Sequence, residues 1–343
     1  MAVSRAVSSP LVSVIILNYN CRRYIERCLA AVRAISYPNL EVIVVDNASS
    51  DGSADLVGQK YPFVQLLRNS ENLGFAAGNN VGISKAKGDY VFLLNPDTEV
   101  DPMCVKWLVE VMSQNPEIGV CGAKILTLDK KYIIQHAGGK YHVIGIAIDR
   151  GVLEVDKGQY DRVEEVTFVC GAAMFIRKKL IWEVGLLDPS FFLYHEDVDF
   201  CIRTWLHGFK VVFVPEAVVY HKQGTSVVEA FAKRPSRPIV VFHKHKNTLS
   251  ILLKNFPVFT ILLWLSLSLC YRVFWLIRYL ANGDSLSVIA LTKSVLWVAN
   301  NARYILSARR NVMRIKKSHC HLEKRLASLK EVWITYRKVR NFA

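Results

Sequence analysis

The chain has 343 residues, 52% apolar and 21% charged, which is enough apolar mass for a large packed core and excludes a wholly disordered protein. Its formal net charge of +15 is uneven: from Ala299 onward twelve Lys or Arg stand against two acidic residues, leaving only +5 for the preceding 298 residues. A near-neutral body with a basic tail calls for an anionic partner, either lipid headgroups or nucleic acid. The eight Cys residues show no Cys-x-x-Cys pair and no zinc-ligand spacing, so they read as reduced core residues of an intracellular protein. Leu11 to Leu17 is too short for the apolar core of a secretory signal, and the cytosolic side is the default.

The run Leu11-Val-Ser-Val-Ile-Ile-Leu17 is β-branched and bounded by Pro10 and Asn18, which predicts a buried strand. Helical spacing over Tyr24–Ile35 predicts a crossover, followed by a strand at Glu41–Val45 and a short helix at Ala54–Gln59. A third strand is expected at Val64–Leu67, a helix at Ala76–Lys85, a fourth strand at Tyr90–Leu94 and a helix from Pro102 to Gln114. Strands alternating with helices imply an α/β fold with a doubly wound, mostly parallel sheet, whose ligands bind beyond the carboxyl ends of the strands. Those ends are polar here: Asn18-Tyr-Asn20, Asp46-Asn47, Arg68-Asn69 and Asn95-Pro-Asp97. Residues 120–155 read as strands and loops of the same domain. Val166–Ile176 reads as a strand broken at Gly171, Phe200–His207 as a helix and Lys210–Val214 as a strand.

Three places carry candidate chemistry. Asp97, directly after a strand, either forms a turn or holds a divalent cation against a leaving diphosphate. Glu196, Asp197 and Asp199 sit between the aromatic run Phe191-Phe-Leu-Tyr194 and a helical stretch. They serve the helix dipole, or one of them takes the proton of an attacking hydroxyl, with apolar surroundings raising its pKa. His221 is expected in a loop with Gly224, Thr225 and Ser226; it is an ordinary surface residue or a metal ligand, and neutral imidazole suits Mn better than Mg.

Five blocks in order give these places a common meaning: Leu17-Asn-Tyr-Asn20, Val45-Asp-Asn-Ala-Ser-Ser-Asp-Gly-Ser53, Asn72-Leu-Gly-Phe-Ala-Ala-Gly-Asn-Asn80, Leu94-Asn-Pro-Asp-Thr98 and Tyr194-His-Glu-Asp-Val-Asp199. From about Leu11 to Ser226 the chain resembles the family 2 nucleotide-sugar glycosyltransferases of GT-A fold, and within them the rhamnosyltransferase-like enzymes of bacterial surface polysaccharide. The resemblance implies that Asp46 binds the nucleotide base, with Asn20 and Ser49 to Asp51 lining that pocket. Asn72, Gly74, Gly78 and Asn80 would shape the ribose and diphosphate side, where glycines allow close backbone approach. Asn95 and Asp97 stand at the family's Asp-any-Asp motif, with Asn95 in place of the first Asp, which takes one charge from the metal site. Asp97 and His221 match metal positions for Mn or Mg. Asp197 matches the catalytic base, with Glu196 beside it. The implied activity is inverting transfer of a sugar, rhamnose before other hexosyl or galactofuranosyl groups.

After about residue 228 the character changes, which divides the chain into a catalytic domain (1–228, with a donor half to about 100) and a basic helical region (229–343). Asn255–Tyr271 has no formal charge, but as a helix it spans roughly 25 Å against a hydrocarbon core of about 30 Å. Arg272 and Arg278 would extend it only by snorkelling. A second apolar stretch, Leu286–Leu306, carries Lys293. Three placements are open: a hairpin packed on the catalytic domain, partial embedding in one leaflet, or spanning. Basic segments beside apolar ones favour an anionic membrane surface over nucleic acid. This predicts a peripheral or monotopic enzyme on the cytoplasmic face, acting on a lipid-linked or saccharide acceptor. His243, Lys244, Lys246 and Asn247 are then candidate diphosphate contacts. A nicotinamide oxidoreductase is excluded because Asn18 to Arg23 contains no glycine. A non-catalytic nucleotide-sugar-binding module is the rival, and release of nucleoside diphosphate discriminates the two.

Overall fold

The computed structural model describes residues 9–222, 238–317 and 322–342. The expected loop of Gly224, Thr225 and Ser226 and the start of the basic segment at 230–237 lie outside the described residues. The parallel half of the main sheet follows the sequence pattern: β1 (Val12–Asn18), β2 (Leu40–Asp46), β3 (Val64–Arg68) and β4 (Tyr90–Leu94) are joined by α1 (Arg22–Arg33), α2 (Ser53–Lys60) and α3 (Gly74–Lys85). β1 lies between β2 and β4, pairing Asn18 with Asp46 and Ile16 with Leu94. Its side chains alternate between two apolar layers. Val14 and Ile16 meet Ile25, Leu29, Val57 and Leu108 on one face; Ile15 and Leu17 meet Ile83 and the far helices on the other. A strand covered on both faces reads as one apolar run, which is why it was legible.

The second half adds β5 (Thr98–Val100), α4 (Cys104–Gln114), β6 (Ile118–Thr127), β7 (Ile134–His136), β10 (Glu164–Glu165), β11 (Ala173–Arg177), α5 (Lys178–Val184), α6 (Glu196–Leu206) and β12 (Lys210–His221), with a separate hairpin of β8 (Gly139–His142) and β9 (Ile146–Asp149). The main sheet runs β10-β12-β6-β11-β4-β1-β2-β3, with β5 on β12 and β7 on β6. β11 is antiparallel to both neighbours, β4 and β6. Two expectations change here. The strand expected at Val166–Ile176 survives only from Ala173, because the Cys170 carbonyl accepts from Ala173 in a turn and the Gly171 N–H is spent on a side chain. β12 does not stop at Val214. Its register with β6 shifts between Val214 and Val218, around Pro215, which has no N–H for a ladder. It then continues to His221, so His221 is a strand residue opposite Thr98 and Thr127 rather than a loop residue.

The C-terminal region is helical: α7 (Pro238–Asn255), α8 (Val258–Ala281), α9 (Ser285–Asn300), α10 (Ala302–Ile315) and α11 (Leu329–Phe342). α7 packs against α6, α9 and α10 and is mostly buried from Val241 onward. The stretch expected as one apolar segment, Leu286–Leu306, is divided at Asn301. α8 has 24 residues, not the 17 of the uncharged run, giving a length of about 36 Å. The reason is Arg272. It does not snorkel: its guanidinium is 2% exposed and donates to Ser268 O and Oγ (2.7 Å each), His245 O and Thr248 Oγ1 (3.0 Å each). α8 and α9 bury Ser268, Arg272, Ser287 and Ser294 while Phe259, Leu262, Leu263, Phe274, Ile277 and Leu286 are exposed. α8 is long and apolar enough to cross a membrane, by length and composition.

Candidate active site

Because β1, β2 and β4 run in parallel register, their carboxyl ends set Asn18, Asp46 and Asn95 in one row. Asp46 is buried; its Oδ1 accepts from Asn18 Nδ2 (2.8 Å) and its Oδ2 from the Ser49 amide (3.1 Å). Asn18 Nδ2 also reaches Ser53 Oγ at 2.8 Å. Asn20, in a left-handed conformation, accepts from the Ser50 amide (2.8 Å) and donates its own amide to Ser49 Oγ (3.0 Å). Asp51 accepts from the Arg22 amide (2.8 Å) and the Ser53 amide (3.0 Å). These bonds tie residues 18–22 to 46–53, so Asn20, Asp46, Ser49 and Asp51 share one wall.

Asn47, absent from the sequence-based site, organises the next part. Its Nδ2 donates to Asn72 Oδ1 (2.8 Å), and its Oδ1 accepts from Asn69 Nδ2 (3.0 Å) and the Leu73 amide (3.1 Å). Two of the expected glycines also allow close packing. A Cβ at Gly78 would lie 2.5 Å from Leu17 Cδ1, so its absence lets α3 close on β1. Gly74 has φ +76°, and a Cβ there would meet the Phe192 ring at 2.4 Å. Asn80 is bonded within the protein. Both ends of its amide are taken by Leu187, at 2.7 Å to the carbonyl and 3.2 Å from the N–H, which braces α3 to the segment leading into the acidic helix.

The cation candidates come together. Asp97 Oδ1 is 3.2 Å from His221 Nε2, and Asn95 Nδ2 is 3.3 Å from the same nitrogen. His221 is buried, and Gln135 faces its Nδ1 at 3.0 Å through Nε2 and 3.1 Å through Oε1. With the glutamine oxygen accepting from Nδ1–H, Nε2 presents a lone pair to the Asp97 oxygen. Two lone pairs at that distance suit a cation between them, and the Asn95 amide, turned over, adds a third oxygen donor. Among the described residues no group of three or more His, Cys, Asp or Glu converges as a metal site. The donor set of Asp97, His221 and Asn95 would fit a cation that takes its remaining ligands from elsewhere. The acidic character reaches beyond it: burial first, then Asp97 and Asp51, push the Cys21 thiol up to about 12.

Asp197 stands on the first turn of α6. Its Oδ2 accepts from the Gly171 amide (2.9 Å) and its Oδ1 from the Val198 amide (2.8 Å). One residue along, the Ala172 carbonyl accepts from the Asn95 amide (3.0 Å), so the turn before β11 joins the base candidate to the cation pair. Protein surrounds Asp197, yet part of the side chain stays open. Burial raises its pKa, partly opposed by the two amide bonds. Glu196 is buried, its Oε2 lacks a hydrogen-bond partner among the described residues, and burial followed by the Asp197 charge raises its pKa well above the usual carboxylate range. Of the neighbouring pair, Asp197 is the partly open one, and burial favours the neutral form of Glu196. Asp199 is turned inward to Arg203 (2.9 Å), Lys254 (2.8 Å) and Asn255 (2.7 Å). The approach to α6 is strained: Phe192, Tyr194 and His195 all have positive φ, each costing about 1–2 kcal/mol. Burial, then Lys244, lowers the His195 pKa to about 3, which makes it a neutral imidazole.

The four acceptor candidates divide. His243, Lys246 and Asn247 are buried on α7. His243 stacks on Phe192, Lys246 Nζ donates to Ser190 O, and Asn247 donates to backbone carbonyls, so these three face the protein and not a substrate diphosphate. Lys244 is half-buried, with Nζ 5.3 Å from the Tyr194 ring centre, and remains at the edge of the site.

A half-parallel sheet with a polar row at its strand ends, a carboxylate–imidazole pair past β4 and a carboxylate on the facing helix define a nucleotide-sugar glycosyltransferase of GT-A type. The family described as Glycosyl transferase family 2 matches residues 13–185, about half of the chain, and the protein belongs to that family. It is 27% identical over 253 residues to the N-acetylglucosaminyl-diphospho-decaprenol L-rhamnosyltransferase of Mycobacterium tuberculosis (strain ATCC 25618 / H37Rv), covering 67% of this chain and 81% of that protein. It is 28% identical over 207 residues to the poly-beta-1,6-N-acetyl-D-glucosamine synthase of Staphylococcus aureus (strain COL), covering 59% of this chain and 47% of that one. The fold is shared with the mannosyltransferase PcManGT from Pyrobaculum calidifontis, solved with GDP-Man and Mn2+ (TM-score 0.53, 16% identity, 96% and 88% coverage). It is also shared with GalNAc-T7, solved with UDP, GalNAc and Mn2+ (TM-score 0.57, 18% identity), where the likeness covers 72% of this chain and 48% of that chain, about half its length.

Proposed function

We propose that the protein is an inverting, metal-dependent glycosyltransferase that moves a sugar, rhamnose as the first choice, from a nucleotide diphosphate donor to a hydroxyl of a lipid-linked or polysaccharide acceptor. The observation that carries this reading is the turn 170–172, which bonds Asp197 on one side and the cation-pair strand end on the other. That arrangement supports a base facing a site for the leaving group. Asp197 takes the proton of the acceptor hydroxyl, the hydroxyl oxygen bonds to the anomeric carbon from the side opposite the leaving group, and the bond to the diphosphate oxygen breaks. The nucleoside diphosphate departs with the bonding electrons. Asp97, His221 and Asn95 would hold a Mn or Mg ion, which when bound neutralises charge on the diphosphate. Asn20, Asp46, Ser49 and Asp51 would hold the nucleotide, with Asn72 and the α3 glycines shaping the wall beside it.

The acceptor assignment draws on the mycobacterial relative, whose name specifies a lipid diphosphate, and on the outward apolar faces of α8 and α9. We read those faces as seated in the cytoplasmic leaflet, peripheral or monotopic, with the catalytic domain to about residue 228 held over the surface by the helical region. The basic tail adds about 1 kcal/mol per Lys or Arg near anionic lipid. The test is a panel of UDP-, GDP- and dTDP-activated sugars, rhamnose among them, with N-acetylglucosaminyl-diphospho-decaprenol in vesicles. One sugar should give diphosphate release matched by a glycosidic product of inverted anomeric configuration. Saturable nucleotide binding without release would instead make the protein a binding module, and a retained configuration would remove the single-displacement role of Asp197.

A further inference from the structure

α7 reaches past its own packing surface into the backbone that carries the base. Asn247 has no exposed surface, and its Nδ2 lies 3.1 Å from Phe191 O, 2.9 Å from Leu193 O and 2.7 Å from Tyr194 O. A side-chain amide has two N–H groups, so three carbonyls share two donors. They converge where Phe192, Tyr194 and His195 all take positive φ, so that these peptides turn toward α7. Convergent carbonyl oxygens repel one another unless a donor sits among them. Asn247 Oδ1 has no hydrogen-bond partner among the described residues, so the carbonyls alone set how the amide points.

Neighbouring groups repeat the theme. Lys246 Nζ donates to Ser190 O, and Lys254 Nζ bridges Asp188 Oδ2 (2.5 Å) and Asp199 Oδ1 (2.8 Å). Asp188 caps the short turn Pro189–Phe191 through the Ser190 amide (3.0 Å), and Asp199 lies on the first turn of α6 beside Asp197. The stretch from Asp188 to Asp199 thus has its charged ends pinned by Lys254 and its strained middle pinned by Asn247. On the far side it is met by α3, where the Phe75 amide donates to Phe192 O (2.5 Å).

The geometry points to Asn247 as a positioning residue for the Asp197 base: the C-terminal helix α7 completes the active site by holding the loop that aims the carboxylate. This rests on the reading of Asp197 as the base. Asn247 touches no substrate; it fixes the peptide immediately before His195, whose left-handed backbone opens α6. An error of about 1 Å in a reacting group costs about 10²-fold in rate.

The test uses the full chain, the sugar of highest turnover in the donor panel and N-acetylglucosaminyl-diphospho-decaprenol in vesicles. Asn247→Ala should lower kcat about 100-fold with donor KM and UDP, GDP or dTDP binding unchanged, while Asn247→Ser, which keeps one donor, falls between. The acid limb of kcat should also move to lower pH as water reaches the freed carboxyl. Should the alanine variant not fold, the serine variant decides by the same split. Either variant with kcat within about twofold of wild type, or with kcat and nucleotide binding lost in parallel, overturns the inference. Asp197→Asn run alongside separates the two readings. If it stays active, the base assignment fails; if it is dead while Asn247→Ser is normal, only the positioning role fails.

Discussion

In the catalytic half the apolar side chains point in and the polar ones gather at the strand ends; α8 and α9 instead expose many apolar side chains and bury Ser268, Arg272, Ser287 and Ser294 beside Tyr279, Leu291 and Val298. Ile15, Ile43 and Val44 are fully buried between helices, whereas Phe259 and Leu262 of α8 are more than 70% exposed and Arg272 of the same helix is buried. The same physical rule applies to both, since a buried polar group needs partners. The strand ends gather the polar groups of the candidate site, and Arg272 finds four acceptors inside the fold. The outer surfaces of α8 and α9 are largely apolar, and an apolar patch of that extent on a protein in water marks an interaction surface. α7 stands where the two meet, bonded to Arg272 on one side and to the base loop on the other.

The strongest way to break the catalytic side of the comparison is Asp197→Asn. Fold and nucleotide binding should persist while kcat falls by about 10²–10⁴-fold, the usual contribution of a general base. In the wild type, kcat should fall as pH drops through the raised Asp197 pKa, because the protonated carboxyl accepts no further proton. Next in size is the cation pair. Chelation should cost about 10²-fold or more in turnover, since a bound metal supplies several kcal/mol of charge stabilisation, and Mn2+ or Mg2+ should restore it. Asp97→Ala should mimic the chelated enzyme. Full turnover in excess chelator would leave Asp97 and His221 without a metal role.

How much of this was legible depends on whether the determinant was local. The alternating strands, Asn18 and Asp46 at the strand ends and the acids of α6 could be read because each follows from a continuous run and its boundary. The expected His221 loop was a strand because the bulge at Pro215 lets β12 go on, and a single run of Lys210–Val214 does not announce its continuation. Gly171 read as a strand break, but its amide holds Asp197, a bond 26 residues apart in sequence. Gln135 gave no signal, and Asn247 was expected on a substrate diphosphate rather than on backbone carbonyls, since a polar residue's partner is set by tertiary approach. Arg272 misled for a similar reason: a charge reads as the end of an apolar helix unless the fold supplies four acceptors for it.

A smaller effect probes the apolar faces. Leu262→Glu with Ile277→Glu should reduce flotation with anionic vesicles by about 100-fold or more, since each large apolar side chain contributes about 1.5–3 kcal/mol when buried. Rising salt should weaken the binding further through the basic tail. Unchanged flotation would place the lipid contact elsewhere.

The smallest effect concerns Glu196. Its pKa is raised in the fold, so its contribution to stability is complete at acid pH and is lost as pH rises above about 4.3 toward the elevated value. Glu196→Gln cannot ionise, so its Tm should gain on the wild type as pH rises, by about 2–4 °C per kcal/mol. A Tm difference that is flat with pH would mean the carboxyl is not held neutral.

The most direct test of the link between the two regions compares one variant on two acceptors. Full-length wild type and Leu262→Glu/Ile277→Glu would be assayed for transfer to a lipid-linked acceptor in anionic vesicles and to a short-chain, water-soluble analogue. The predicted result is equal turnover on the soluble analogue and a loss of at least about tenfold on the vesicle acceptor, confined to the variant. Equal transfer to both acceptors by both proteins would contradict the account, because the outward apolar faces would then have no part in bringing Asp197 to its hydroxyl.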